Sequence, residues 1–161
     1  MDWKAFIQEP VHEGGEPLAV SFHSPATEQA LQALEREFSI TLPEQLRELL
    51  LQTDGVDDEF DCPIVDGVPE IAAMNRAARD ASHDHCMPLD HLFFVSSCYG
   101  NGDLVGYGLR RDRWPHPALF RWDHEDDSRT WLAPDLKTFL LWGFKGKKPD
   151  GDGRDETACA P

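Results

Sequence analysis

Residues able to ligate a metal gather in the segment SHDHC, where His83, His85 and Cys86 precede His91 and Cys98. Imidazoles and thiolates are ordinary zinc ligands, but structural zinc sites space them in fixed pairs such as C-x-x-C. None of those spacings occurs, and a polar loop ahead of a strand often carries histidines. No metal or other cofactor is expected. Cys98 falls between a strand-like run and a turn, a position that can expose a thiol. It has no local signature of a nucleophile, and no G-x-S-x-G elbow is present. Asp123, Glu125, Asp126 and Asp127 are close enough for acid–base work or for a divalent cation, yet they match no EF-hand loop. The expectation is a protein without catalytic residues.

The stretch SSCYGNGDLVGYGL, residues 96–109, is rich in glycine and follows an apolar run. A dinucleotide loop needs G-x-G-x-x-G opening a helix, because the phosphates rest on the helix N-terminus. Gly100 and Gly102 begin that pattern, but Val105 stands at its third glycine. The residues that follow alternate as a strand does, with Val105, Tyr107 and Leu109 between Gly106 and Gly108. Gly100-Asn101-Gly102-Asp103 instead suits a tight hairpin turn, which needs positive φ angles.

Two acidic loops remain. TDGVDDEFD holds Asp54, Asp57, Asp58, Glu59 and Asp61 around Phe60, and WDHEDD places Trp122 beside four carboxylates. Aromatic anchors ringed by charge suit a protein interface, the ring supplying affinity and the charges supplying steering. In the opposite reading the rings cover the core and the acids solvate their loops. The candidate partner surface comprises Asp57, Asp58, Glu59, Phe60, Asp103, Trp122, Glu125, Asp126 and Asp127.

The chain around these residues has 161 positions, 30 acidic and 15 basic side chains, and a formal charge of −15. Such a surface repels phosphate backbones and anionic lipids, so neither nucleic acid nor a membrane is an expected partner. A basic protein is. No apolar stretch approaches the ~20 residues that span a bilayer, and the N-terminus lacks the pattern of a secretory signal. Four widely spaced cysteines without a C-x-x-C pair suit reduced thiols and a cytoplasmic location.

The elements that must position the loops follow from periodicity. SPATEQALQALEREF reads as a helix capped by Ser24, with Leu31, Leu34 and Phe38 on one stripe. TLPEQLRELLLQTDG reads as a second, with Thr41 and Glu44 in capping-box spacing and Gly55 as its C-cap. Residues 56–67 read as loop, and a third helix is expected from Pro69 to Arg79. HLFFVSS, LVGYGL and ALFRW are strand-like runs at hairpin separations, and Thr130 to Leu132 is a fourth. Asp135 to Trp142 is expected to close the domain as a helix. Together these predict a single α+β domain over 1–144, a meander of about four to six strands packed with helices, and a mobile polar tail over 145–161.

These pieces in this order resemble the SUKH superfamily, whose founding group is the yeast Smi/Knr cell-wall regulators. The matching segments are ALEREFSITLPEQLRELLLQTDG, FFVSSCYGNGDLVGYGL and PALFRWDHEDDSRTWLAPDLKTFL. Leu42, Pro43, Leu46, Leu50 and Gly55 fit the first. Gly100, Gly102 and Asp103 fit the second, and Trp122, Asp123, His124 and Glu125 fit the third. The resemblance implies an α+β sheet with packed helices and no catalytic machinery. Many bacterial members look like immunity proteins that bind and block a toxin, often a nuclease with a basic surface. Others, like the yeast proteins, serve as scaffolds or regulators of a complex in their own cell.

Overall fold

In the computed structural model the described residues are 1–10, 16–80, 87–110 and 115–146. His83, His85 and Cys86 lie outside them, as does the tail from residue 147 onward. Twelve elements follow in chain order: α1 (Trp3–Gln8), β1 (Ser21–Phe22), α2 (Glu28–Phe38), α3 (Glu44–Leu50), β2 (Val56–Asp57), β3 (Pro63–Val65), α4 (Val68–Asp80), β4 (Leu92–Ser96), β5 (Leu104–Leu109), β6 (Pro115–Trp122), β7 (Arg129–Ala133) and α5 (Leu136–Gly143). The expected meander is the antiparallel sheet β4-β5-β6-β7, and a second antiparallel sheet, β1-β2-β3, stands beside it. The chain is therefore α+β.

The helices form for the reasons their sequences indicate, with changes at their ends. Leu31, Leu34 and Phe38 of α2 and Leu46, Leu49 and Leu50 of α3 are all buried. Burial of each such side chain favours folding by about 1.5–3 kcal/mol. The α2 cap is Thr27, not Ser24: the Thr27 hydroxyl accepts from the Ala30 N–H at 3.1 Å. Ser24 instead accepts at its carbonyl from Asp54 N–H, 3.1 Å away. No capping box forms at Thr41, because α3 starts behind Pro43 without a side-chain cap. The helix ends at Leu51 in right-handed geometry, so Gly55 is not its C-cap.

Residues 56–67 are not a loop throughout. β2 and β3 pair within them, Val56 opposite Val65 and Asp57 opposite Pro63. Strands of two and three residues are too short to show alternation, so periodicity cannot detect them. The same brevity hides α1, a six-residue helix whose Asp2 cap accepts from the Ala5 N–H at 3.0 Å. Trp3 and Ile7 of α1 reach the core at i, i+4. From the far end of the chain, buried Lys145 donates through Nζ to the carbonyls of Phe6 and Glu9 at the end of α1. A cation there satisfies helix carbonyls and opposes the dipole. Lys145 is thus part of the folded body, not the first residue of a solvated tail.

The two sheets are joined along the outer edge of β4. Asp66 N–H donates to the Val95 carbonyl at 3.0 Å, and the Ser96 hydroxyl donates to the Ile64 carbonyl at 2.8 Å. Asn75 of α4 occupies the next stretch of that edge. Its Nδ2 donates to the Phe94 carbonyl at 2.7 Å, and its Oδ1 accepts from the Phe94 N–H at 2.9 Å. A side-chain amide carries the same donor and acceptor as a peptide, so Asn75 substitutes for a strand neighbour. On the inner side of the pair, Gly106 lets β5 approach β4: a Cβ there would lie 2.5 Å from the Phe93 carbonyl oxygen.

Candidate functional site

Antiparallel order sets where the loops emerge. The β4–β5 turn (97–103) and the β6–β7 turn (123–128) leave the four-stranded sheet at the same end. β3 meets the end of β4 that leads into the glycine hairpin: the Ile64 carbonyl accepts from the Ser96 hydroxyl, and Asp66 bonds both Val95 and Ser97. The β2–β3 turn (58–62) opens directly into β3, so the first acidic loop is connected to that end of the sheet through β3. The second acidic loop and the glycine hairpin share one end of the four-stranded sheet, and the first acidic loop, some sixty residues earlier in sequence, is joined to them through β3. None of the three turns contains a lysine or arginine.

Within the first loop the acids differ in what they do. Asp57 lies 2.7 Å from Nε2 of His23 on the neighbouring strand end. Asp58 is an internal brace, its Oδ1 accepting from the N–H groups of Phe60 (2.8 Å) and Cys62 (2.9 Å). Glu59 and Asp61 are exposed, and Phe60 is 67% exposed. Beneath this loop, Asp54 accepts at 2.7 Å from the N–H of Val68, the first residue of α4. Burial raises the Asp54 and Asp66 carboxyl pKa values, and the nearby Glu70 carboxylate adds to both shifts. Asp66 is held against that cost by the Ser97 N–H and hydroxyl, at 2.7 and 2.9 Å. Ser97 begins the glycine hairpin, so Asp66 ties the end of β3 to that turn.

Asp103 ties the second turn to the third. It is 1% exposed, which corrects its placement on the contact surface. One carboxylate oxygen accepts from the His124 N–H at 3.1 Å and lies 2.8 Å from its Nδ1. The other is held by Nε of Arg121 at 2.8 Å, by the terminal nitrogen of the same guanidinium, and by Asn101 Nδ2 at 3.1 Å. Burial alone would raise this carboxyl's pKa. The bonds from His124, Arg121 and Asn101 outweigh it and hold the group well below the usual carboxylate range. Arg121 also lies over the Tyr99 ring, 4.7 Å from its centroid, and reaches Asp123 at 3.4 Å. Gly102, at φ 103°, passes so close to the His124 ring that a Cβ would stand 3.2 Å from it.

Trp122 is likewise buried, packed on Phe94 with ring centroids 5.8 Å apart. Its Nε1 donates to Asp127 at 2.8 Å. Asp127, in left-handed geometry at φ 59°, also accepts from the Met87 N–H and pairs with Arg129 at 2.9 Å. Asp126 caps the turn by accepting from the Ser128 N–H at 2.9 Å, and Glu125 is exposed. Of the nine predicted contact residues, Asp103 and Trp122 thus support the surface from below. Asp57, Asp58 and Asp127 are half-buried braces; Glu59, Phe60, Glu125 and Asp126 face solvent.

Asp103, Asp123 and His124 bring ligating atoms within 4.8 Å of one another. The donor set does not fit a metal ion, because the Arg121 guanidinium already supplies the positive charge at that point. Arg121 is the residue sequence reasoning missed. A lone arginine ending an apolar strand, opposite a G-x-G-D turn, was its only signal. A carboxylate held this far below its ordinary range is a weak base, and its bonds to Arg121 and His124 brace the two turns.

The SMI1 / KNR4 family (SUKH-1) model matches residues 25–142, from just before α2 to α5. The chain belongs to the SUKH-1 family. The three turns that make up the acidic end of this SUKH-1 domain fall inside the matched span, and α1 and Lys145 fall outside it. No curated protein matches the chain. No described helix is long and apolar enough to cross a membrane.

Proposed function

We propose that this SUKH-1 protein is a non-catalytic immunity protein that binds and neutralises a bacterial toxin domain at its acidic end, in the cytoplasm of the producing cell. The observation that supports the reading is a set of three lysine- and arginine-free turns, two sharing one end of the four-stranded sheet and the third joined to that end through β3. Each turn is braced by carboxylate hydrogen bonds, from half-buried Asp58 and Asp127 and buried Asp103, so the surface is ordered before a partner arrives. A preordered, predominantly acidic surface steers a basic partner and loses little entropy on binding. Toxins that act on nucleic acid carry basic surfaces for that substrate, and an acidic end competes for them directly. Family membership is consistent with this role.

The test is growth and complex formation with toxin domains encoded beside the gene. Co-expression is expected to restore growth, and the purified pair to elute as a stoichiometric complex. Continued killing, with recovery of a housekeeping partner instead, would point to the regulatory role of the yeast relatives.

A further inference from the structure

Among the described residues, Phe60 stands out from the other large apolar side chains left in water. It is 67% exposed, against 49% for Met1, 48% for Met87, 39% for Trp131 and 36% for Leu51. Trp131 has aromatic cover, edge-on to Trp142 at 5.9 Å. The backbone under Phe60 is fixed. Asp58 Oδ1 binds the Phe60 and Cys62 N–H groups; Asp58 N–H donates to the Cys62 carbonyl at 2.9 Å, and Asp61 N–H to the Asp58 carbonyl at 3.2 Å. Asp61 closes the turn at φ 59°. None of these bonds needs an aromatic ring at position 60, so a polar residue would serve the turn as well and keep apolar surface out of water. On either side, the Glu59 and Asp61 carboxylates are exposed.

We propose that Phe60 is a preorganised knob that enters an apolar pocket rimmed by lysine or arginine side chains on a protein partner. The proposal rests on the reading of the acidic end as the partner surface, and it names the chemistry of that partner. A ring on a braced turn loses little freedom on docking, and a central aromatic in a desolvated pocket carries a large share of binding free energy. The flanking carboxylates then act on encounter, and the ring acts on the lifetime of the complex.

A random-peptide phage library panned on the immobilised full-length protein tests this. The expected clones carry an apolar cluster flanked by Lys or Arg. They are expected to bind Phe60→Ala about 30-fold more weakly, through faster dissociation, and Phe60→Tyr nearly as well as wild type. Peptides that bind Phe60→Ala unchanged but are lost on Glu59→Lys/Asp61→Asn/Glu125→Lys would overturn the knob and leave the acidic surface standing. Peptides that bind both variants unchanged would overturn both. Failure to enrich any such peptide would overturn the knob.

Discussion

The His124 ring and the Asp103 carboxylate close a clamp between two hairpin turns, with Nδ1 2.8 Å from the oxygen that also accepts the His124 N–H. The hydrogen bond to Asp103 raises the His124 pKa, and Asp123 and Glu125 add to the shift. A histidine whose folded pKa exceeds the unfolded value of about 6.5 contributes stability that is complete below that pH. The contribution is lost as pH rises through the raised value. Arg121 stays charged throughout, so the Asp103–Arg121 bonds persist. The stability difference between wild type and His124→Gln should therefore be larger at about pH 6 than at about pH 9. Urea midpoints at the two pH values measure it, and a constant difference would contradict the clamp.

Asp103→Ala should cost on the order of 2–3 kcal/mol, because the Arg121 and His124 donors then lose their buried acceptor. Asp103→Asn, which keeps an acceptor oxygen, should cost less. Amide exchange should quicken in residues 123–128 more than in α2. Uniform acceleration across the domain would show that Asp103 does not act on that turn.

Asp66→Asn should have the opposite sign at neutral pH. Burial raises the Asp66 pKa despite the Ser97 bonds, and Glu70 and Asp57 push the same way. A carboxyl with a raised folded pKa contributes stability below its unfolded value of about 3.9 and loses it as pH rises through the folded value. Replacing the charge with an amide should raise the thermal midpoint near pH 7, and the gain should shrink toward pH 4. Thermal unfolding followed by circular dichroism at both pH values reads this directly.

Gly106→Ala should destabilise the domain by about 3 kcal/mol or more. The added Cβ would stand 2.5 Å from the Phe93 carbonyl oxygen and 2.9 Å from the Phe94 Cα, both backbone atoms that cannot step aside. Gly108→Ala, whose Cβ would meet only the Phe120 ring at 3.5 Å, is the control and should cost far less. Equal losses in urea unfolding would contradict the close β4–β5 approach.

The elements legible in the sequence are those long enough to show a period. α2, α3, α4 and the strands β4 to β6 carry most of their apolar residues inward, and Gly100 and Gly102 take the positive φ angles that a hairpin requires. α1 and the β1-β2-β3 sheet were not legible, since two- to six-residue elements are held by tertiary bonds and not by their own pattern. At the candidate site, Phe60 is exposed as its acidic neighbours suggest. Asp103 is not. An aspartate in a glycine turn reads as solvated, and its partner Arg121 lies 18 residues on, across β5 and β6. Trp122 reads as an anchor beside carboxylates, but its ring packs on Phe94 and only its Nε1 meets an acid. Burial of this kind depends on which strands become neighbours, and local spacing does not encode that.

The association rate constant with the cognate toxin, measured at low and at high salt, tests the acidic end most directly. Glu59, Asp61 and Glu125 are exposed, and Asn tolerates the left-handed geometry at position 61, so Glu59→Lys/Asp61→Asn/Glu125→Lys should fold as the wild type does. Wild type should associate fast at low salt and slow steeply as salt rises; the triple variant should associate at least about 10-fold more slowly at low salt, with a flattened salt dependence. Equal rate constants for the two proteins at both salt concentrations would contradict the acidic end as the surface that meets the partner.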